Sequence, residues 1–401
     1  MSRQNLSRAR IIVLLTVMLG LLPELAGCAL PSTRTIKIVT SFPMHGVALG
    51  RSVVNATQLA VDERGGQAAG FTVELVIMDD GTETGQWDPD LEAENARKAV
   101  ADPQVVAYIG PLNSGAAKVS IPITNQAGLV QISPTNTWPG LTKVGFAPGE
   151  PGILYPTGRR TYFRTCPTDE FQAPAAARWA YSLGFRRVYI LDDGEAYGKG
   201  LADLFEETAY ELGLEVLGHV TVDKLANDYQ GVLEQVAATR PDLVYFGGYT
   251  PNGAPVLVRQ MREMQMEAGF MGPDAIVDSA FITEAGEASE GVYATLVGVP
   301  PTGWHEGTAA DFADRYRARF ATEPEAFSHF AYDAANAVLT AVERAATDDR
   351  RAILNAMATL GEMEGVAGSF TFDTNGDTSI TTVSGNVVRD GRFEYLQTLA
   401  P

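Results

Sequence analysis

Ile36-Lys37-Ile38-Val39 is a short apolar run, followed by an amphipathic helical pattern over 51–64 and by a second run, Phe71-Thr72-Val73-Glu74-Leu75-Val76-Ile77. Two apolar runs that flank a helical pattern are typical of a βαβ unit, in which both strands lie parallel in one sheet. Because helices cover both faces of a parallel sheet, this stretch predicts an α/β fold.

The same alternation continues along the chain. The next patterns are strands over 105–109 and 130–132 and helices over 90–101 and 114–127. After an interruption the alternation resumes, with helices over 170–183, 198–212 and 229–239 and strands over 188–191, 214–222 and 243–246. We therefore expect two doubly wound open-sheet lobes with a cleft between them.

The interruption covers 140–160, where Pro148, Pro151 and Pro156 and several glycines show no periodicity. We interpret it as a long ordered loop or an insertion. Towards the C-terminal end, helical patterns cover 307–321, 327–347 and 350–360. Beyond them, Asn375-Gly376 and Asp390-Gly391 indicate two hairpin turns.

Residues 1–27 have the layout of an export signal: basic residues, an apolar stretch over 11–22, and then Leu25-Ala26-Gly27-Cys28. The apolar stretch is shorter than the roughly 20 residues that a membrane-spanning helix needs. The last four residues resemble a bacterial lipobox, so we expect cleavage before Cys28, a lipid anchor on its thiol and a tether over 28–35. Lipidation of Cys28 leaves Cys166 without a disulfide partner.

The composition argues against several classes of function. The 401 residues include 30 basic and 49 acidic side chains, and the formal charge of −19 opposes binding to nucleic acid. The two cysteines and the four histidines, His45, His219, His305 and His329, are too few and too scattered for a zinc or iron–sulfur site. We expect no metal and no cofactor, and we interpret the histidines as solvated or core residues.

Signatures of catalysis are missing from the sequence. The segment 194–200 has only three residues between its glycines and is no phosphate loop, and 373–377 fits a turn better than a calcium loop. No nucleophile elbow is present, so we expect no enzyme activity. An exported α/β hydrolytic enzyme that uses Asp79, Asp80 and His45 is a rival hypothesis, disfavoured because adjacent acids diverge at a strand end.

Several polar and aromatic residues follow predicted strands, where open α/β sheets bind ligands. They are Ser114, the turn over 133–137, Tyr197, Tyr249 and Asp274. Ser114 is predicted to be the N-cap of a helix whose free N–H groups suit an anion such as a carboxylate. Each residue also has an ordinary interpretation, as a plain cap, a turn acid or a surface aromatic.

Six motifs together resemble the leucine/isoleucine/valine-binding proteins, which are type I periplasmic solute-binding components of ABC transporters. The resemblance covers about Ile36 to Leu396, with the motifs in the same order. They are Gly110-Pro111-Leu112-Asn113-Ser114, Ile132-Ser133-Pro134-Thr135-Asn136-Thr137, Phe163-Arg164-Thr165, Ala196-Tyr197-Gly198-Lys199-Gly200, Tyr245-Phe246-Gly247-Gly248-Tyr249 and Phe270-Met271-Gly272-Pro273-Asp274.

The resemblance implies a site for a zwitterion. In the family, a serine and a threonine at the positions of Ser114 and Thr137 hold the ligand's carboxylate. A main-chain carbonyl at Thr135 and an acid at Asp274 hold its ammonium. The remaining implied contacts are Tyr197, Tyr249, Leu49, Asn136 and Phe327.

Some positions depart from the family's pattern. Asp274 replaces the usual glutamate, Asn113 stands where a paired cysteine would be, and the 140–160 insertion could overhang the pocket. Leu49 and Asn136 replace residues that shape the side-chain pocket. Ligand specificity therefore does not follow from the resemblance.

The family's three chain crossings, a three-segment hinge, imply one lobe over 36–160 and 300–364 and another over 161–299 and 365–401. We expect a monomeric, lipid-anchored extracytoplasmic protein that binds a branched-chain or related amino acid and delivers it to a permease. A sensory protein for an amide or an aromatic acid is an alternative. The sequence alone does not identify the ligand.

Overall fold

The computed structural model describes residues 34–304 and 306–400. The predicted export signal, Cys28 and most of the tether over 28–35 lie outside the described residues, as does His305. Within the described ranges, no helix is both long and apolar enough to cross a membrane.

The first lobe is built on a six-stranded sheet. Its strands are β1 (Thr35–Ser41), β2 (Gln67–Ala68), β3 (Phe71–Met78), β4 (Val105–Ile109), β5 (Val130–Ser133) and β6 (Tyr162–Arg164), in the order β2-β3-β1-β4-β5-β6. Helices α1 (Ala48–Glu63), α2 (Pro89–Ala101) and α3 (Ser114–Gln126) connect successive strands. Neighbouring strands are parallel except at the short edge strand β2.

The second lobe is built on a seven-stranded sheet. Its parallel strands are β7 (Arg187–Asp192), β8 (Glu215–Thr221), β9 (Leu243–Gly247), β10 (Gly269–Gly272) and β11 (Tyr293–Val297). The helices before and between them are α4 (Asp169–Ser182), α5 (Ala196–Glu211), α6 (Gln230–Thr239), α7 (Ala254–Glu263) and α8 (Ser279–Ala285). This arrangement confirms the prediction of two α/β lobes.

The chain crosses back and forth between the lobes after β11. Helices α9 (Gly307–Phe320), α10 (Ser328–Ala345) and α11 (Arg350–Met357) return to the first lobe, where α10 packs against α1. A small hairpin follows, formed by β12 (Met363–Gly365) and β13 (Gly368–Phe370). The last strands, β14 (Val383–Arg389) and β15 (Arg392–Leu399), complete the second sheet in the order β15-β14-β11-β10-β9-β7-β8.

Burial of apolar side chains holds each lobe together. In the first lobe, Val53 and Leu59 of α1 and Phe330 and Val338 of α10 share one core cluster and are at most 4% exposed. In the second lobe, Phe205 of α5 lies stacked on Tyr245 of β9, with ring centroids 3.8 Å apart. Each such side chain contributes roughly 1.5–3 kcal/mol relative to leaving it in water.

Several element boundaries differ from the sequence predictions. The first sheet extends through β6 to Arg164, beyond the crossing predicted at 160, because β6 pairs with β5. The hairpin at Asp390-Gly391 is confirmed by the pairing of β14 with β15. The turn at Asn375-Gly376 closes only an isolated bridge between Phe372 and Thr378.

The segment 140–160 is an ordered region that packs on the first lobe. It contains two short 3-10 helices, Pro139–Leu141 and Gly152–Leu154, whose apolar side chains form a small core. Leu141, Leu154 and Tyr155 pack there with Ile121 of α3 and Trp138. The prediction of a long ordered loop is therefore confirmed.

Candidate functional site

A narrow cavity lies between the lobes, at the carboxyl ends of their strands. Its volume is about 20 Å³, so the two lobes are closed tightly around it. Seven of the nine predicted ligand-binding residues line this cavity: Leu49, Ser114, Thr135, Tyr197, Tyr249, Asp274 and Phe327. Leu112, Asn113 and Ala275 complete the lining.

Ser114 does not cap helix α3, contrary to the sequence prediction. It is the first residue of the helix, and Asn113 occupies the cap position without a side-chain cap bond. Ser114 is buried, and its Oγ accepts a hydrogen bond from the backbone N–H of Trp138 at 3.3 Å. The hydroxyl therefore lies at the positive end of the helix dipole, beside the cavity.

The turn over 133–137 is fixed by its own hydrogen bonds. Ser133 Oγ accepts from the backbone N–H groups of Thr135 and Asn136, at 3.1 Å each. Thr135 Oγ1 donates to the carbonyl oxygen of Leu112 at 2.9 Å. The turn is thereby tied to the loop after β4, and both segments face the cavity.

Asn136 and Thr137 belong to the turn but do not line the cavity. The Asn136 amide donates to the carbonyl oxygens of Pro111 and Leu112 at 3.0 and 2.8 Å and accepts from the Tyr162 hydroxyl at 3.0 Å. These bonds occupy the side chain within the protein, so we do not retain Asn136 as a ligand contact. Thr137 is fully buried, and its hydroxyl has no hydrogen-bond partner among the described residues.

Asp274 provides the acid of the site from the second lobe. Its Oδ1 accepts from the Tyr197 hydroxyl. The Gln172 amide, oriented to satisfy its neighbours, donates to Oδ2 at 2.8 Å. Burial raises the pKa of Asp274 to about 7, against the hydrogen bonds from Tyr197 and Gln172. A cationic group in the cavity would favour the ionised carboxylate.

Apolar and aromatic side chains form the rest of the wall. Leu49 comes from the second residue of α1, and Phe327 precedes α10 with a left-handed backbone at φ 65°. Tyr249 follows β9, and its buried hydroxyl has no hydrogen-bond partner among the described residues. The site therefore offers polar groups at its ends and an apolar wall, the combination expected for a small ligand.

Arg164 holds the first-lobe side of the site in place and was not recognised in this role from the sequence. Its fully buried guanidinium donates to Asp377 Oδ1 at 2.7 Å and to the carbonyl oxygens of Asn136 and Trp138 at 2.9 and 2.8 Å. The Asp377 charge and these bonds compensate its loss of hydration. The motif Phe163-Arg164-Thr165 included this arginine but gave no indication of its contact with Asp377, which is distant along the chain.

Trp138 joins the two lobes beside the site. Its indole Nε1 donates to Glu150 Oε2 at 2.8 Å, and Lys118 pairs with the other Glu150 oxygen at 2.7 Å. The ring lies against Gly200 of α5, where a Cβ atom would come within 2.1 Å of Trp138 Cζ3. The 140–160 segment therefore positions Trp138 through Glu150.

The residues of the rival enzyme hypothesis do not converge. Asp79 is exposed and accepts from the backbone N–H groups of Met44 and Gly81, whereas Asp80 is fully buried. His45 is exposed. None of them lines the interlobe cavity.

Two histidines differ in how well the sequence predicted their surroundings, and those of His219 were not indicated. His219 hydrogen-bonds Glu206 at 2.9 Å and Asp192 at 3.1 Å. His219, Glu206 and Asp203 lie at a spacing that could hold a metal ion. Asp203 is also engaged by Lys199 at 2.7 Å, which opposes cation binding there. His329 is buried, as the core interpretation predicted.

A fold of two α/β lobes that close on a cavity at their strand ends is that of a two-lobed binding protein. A profile of the periplasmic binding protein family matches residues 35–389, and the chain belongs to that family. The resemblance proposed from the sequence motifs is thereby confirmed.

Similar proteins agree with this assignment. The Leu/Ile/Val-binding protein BraC3 of Rhizobium johnstonii is 29% identical over 350 residues, 86% of this chain and 88% of that protein. The leucine-binding protein LivK of Thermotoga maritima has a TM-score of 0.81 at 27% identity, covering 92% of this chain and 99% of that one. LivJ of Streptococcus pneumoniae, solved with isoleucine, has a TM-score of 0.79 at 26% identity, covering 92% and 100%.

The contact between Trp138 and Gly200 yields a test of the closed arrangement. In Gly200→Ala the new methyl group would clash with the Trp138 ring. We therefore expect the lobes to separate and the radius of gyration measured by small-angle scattering to rise. Gly231→Ala is the matched control, because Gly231 is also helical and has open space around it. Both changes gain roughly 0.5–1 kcal/mol of helix propensity. An unchanged radius for Gly200→Ala would show that the lobes do not meet at this contact in solution.

Proposed function

We propose that this protein is the extracytoplasmic solute-binding component of an ABC importer and that its ligand is an α-amino acid of the branched-chain or a related type. The observation that carries the proposal is that groups suited to an anion and an acid suited to a cation face each other across one cavity. Ser114 and the start of α3 lie on the first lobe, and Asp274 lies on the second. A zwitterion complements both sides at once.

The carboxylate end of the ligand is assigned to the first lobe. Ser114 Oγ and the N-terminal N–H groups of α3 favour an anion through hydrogen bonding and the helix dipole. Thr137 lies in the adjacent turn, and its hydroxyl has no hydrogen-bond partner within the part of the chain that the structure describes, but it does not line the cavity. We therefore assign the main carboxylate contact to Ser114 and a supporting one to Thr137.

The ammonium end is assigned to Asp274, with the Thr135 carbonyl as a second acceptor. Tyr197 and Gln172 hold the Asp274 carboxylate in position. Leu49, Tyr249 and Phe327 then enclose the ligand's side chain, which favours an aliphatic group. The leucine and isoleucine ligands named for the LivK and LivJ proteins fit the same description.

Delivery to a permease follows from closure. Because ligand contacts come from both lobes, a bound ligand stabilises the closed form, which a membrane permease can distinguish from the open form. A sensory role would use the same closure with a different partner. The transport function is favoured because LivJ, which is similar to this chain along its whole length, is named as the substrate-binding protein of a branched-chain amino acid transporter.

A ligand panel tests the assignment. We expect leucine, isoleucine or valine to raise the melting temperature, while benzoate and a simple amide have no effect. Ser114→Ala should weaken amino-acid binding by roughly 1.5–3 kcal/mol, measured by calorimetry, because it removes a charge-assisted hydrogen bond.

Ser120→Ala is the matched control for Ser114→Ala. Ser120 lies in the same helix and is buried, but it bonds Gln131 at 2.9 Å and does not line the cavity. It should retain wild-type affinity. Stabilisation by benzoate alone would instead support the aromatic-acid alternative.

We further propose that Cys28 carries a lipid that anchors the protein to the outer face of a membrane, in the periplasm or at the cell surface. The proposal rests on Leu25-Ala26-Gly27-Cys28 after an apolar stretch. Two or more acyl chains anchor a protein stably, whereas the described residues include no membrane-spanning helix.

Expression of Cys28→Ser with radiolabelled palmitate tests the anchor. We expect wild-type protein to incorporate label and to fractionate with membranes, and Cys28→Ser to do neither. Cys166→Ser is the control, since Cys166 is fully buried and should not affect labelling. Membrane fractionation of unlabelled Cys28→Ser after a high-salt wash would contradict the proposal.

A further inference from the structure

Asn113 is a polar residue of the cavity wall that the proposed zwitterion contacts do not use. It lines the cavity from the N-cap position of α3, where an asparagine ordinarily accepts a hydrogen bond from the first turn of its helix. Here the side chain makes no cap bond, and its buried Oδ1 has no hydrogen-bond partner among the described residues. The carbonyl oxygen of the preceding residue, Leu112, accepts from Thr135 Oγ1 at 2.9 Å and from Asn136 Nδ2 at 2.8 Å. The Asn113 amide is therefore held at the cavity rather than used to cap the helix.

Tyr249 lines the same cavity from the second lobe. The residue is 2% exposed, and its hydroxyl finds no hydrogen-bond partner within the part of the chain that the structure describes. Burial raises the pKa of this hydroxyl well above its usual range, so it stays protonated and can donate. Buried polar groups are normally satisfied, so an acceptor on one lobe and a donor on the other indicate that a ligand group or a water molecule completes the pair.

Neither group suits the charged ends of the ligand. The carboxyl group that acts most strongly on Tyr249 is that of Asp278, whereas Tyr197 is acted on by Asp274 and donates to it. Tyr249 therefore lies away from the proposed ammonium acceptor. Asn113 Oδ1 is itself an acceptor, so it does not pair with the ligand's carboxylate. The side chain of the ligand is the part that remains for these two groups to contact.

A hydroxyl group satisfies both protein groups with a single oxygen atom. It donates to Asn113 Oδ1 and accepts from the Tyr249 hydroxyl. A purely aliphatic side chain does neither and leaves both groups buried without partners, which costs binding free energy. A side-chain amide also pairs with both, but it lacks the methyl group that suits the apolar wall formed by Leu49 and Phe327. The cavity volume of about 20 Å³ further favours a small side chain. Threonine meets these conditions, since it has the branched skeleton of valine with a hydroxyl in place of one methyl group.

We propose that Asn113 and Tyr249 together recognise a hydroxyl group on the ligand's side chain, so that threonine is bound in preference to valine. The inference rests on the proposed function, because it takes the ligand to be an α-amino acid held at its charged ends as assigned above. It narrows the ligand class to a small branched amino acid that carries a hydroxyl group. Asn113 is one of the positions at which this chain departs from the family's pattern, so the resemblance does not imply this selectivity.

Calorimetric titration with threonine and with valine tests the proposal, because the two ligands have nearly the same shape and differ by one hydroxyl-for-methyl exchange. We expect the wild-type protein to bind threonine about tenfold or more tightly than valine. Tyr249→Phe removes only the hydroxyl, so the ratio of threonine to valine affinity should fall about tenfold. Asn113→Leu should lower the same ratio, and it removes no helix cap bond.

Tyr245→Phe is the matched control for Tyr249→Phe. The Tyr245 hydroxyl is also buried and lacks a hydrogen-bond partner among the residues that the structure describes, but Tyr245 does not line the cavity. The two tyrosines lie four residues apart, in β9 and directly after it. The control should therefore keep the wild-type ratio of threonine to valine affinity.

The outcomes separate this inference from the proposed function. Equal affinities of the wild-type protein for threonine and valine, or tighter binding of valine, would overturn the inference without requiring any variant to fold, and would leave amino-acid binding intact. A threonine preference that persists unchanged in both Tyr249→Phe and Asn113→Leu would also overturn it, because the hydroxyl would then be recognised elsewhere. Failure of the wild-type protein to bind threonine, valine or any other α-amino acid would reject the proposed function itself and this inference with it.

Discussion

The buried guanidinium of Arg164 organises the first-lobe side of the cleft. A fully buried charge is tolerated only when it is paired and its donors are satisfied, and Arg164 meets both conditions through Asp377 and two main-chain carbonyls. Those carbonyls belong to Asn136 and Trp138, so one side chain fixes both the turn over 133–137 and the tryptophan that contacts the second lobe. Asp377 lies on the late crossing between the lobes, which connects the turn to the hinge.

This rigid side of the cleft faces an acid held equally firmly on the other lobe. Tyr197 comes from α5, Gln172 from α4 and Asp274 from the loop after β10, so three elements of the second lobe fix one carboxylate. Preorganised groups on two lobes cost little to order when a ligand binds, and closure brings them together. The same arrangement explains how binding at the cleft is converted into a change of shape.

The architecture and half of the cavity lining could be predicted because they follow from local patterns, whereas Leu49 and Phe327 were predicted only through the resemblance to the family. Apolar runs locate the strands, and residues such as Ser114, Tyr249 and Asp274 follow strands, where ligands bind in such sheets. The sequence did not predict that the Asn136 side-chain amide is hydrogen-bonded to Tyr162 and to the loop after β4, because these partners are distant along the chain. The burial of Asp169 was not predicted for a related reason: an acid in the first turn of a helix is ordinarily explained by the helix dipole. Only the fold shows that its carboxyl group is buried beside a second acid.

The central claim is that a zwitterion bridges the lobes with its carboxylate on the first and its ammonium on the second. A crystal structure of the protein with bound leucine tests it most directly. The account predicts the ligand carboxylate within hydrogen-bond distance of Ser114 Oγ and the ammonium within hydrogen-bond distance of the Asp274 carboxylate. Leucine bound in the opposite orientation, or outside the cavity lined by these two residues, would contradict it.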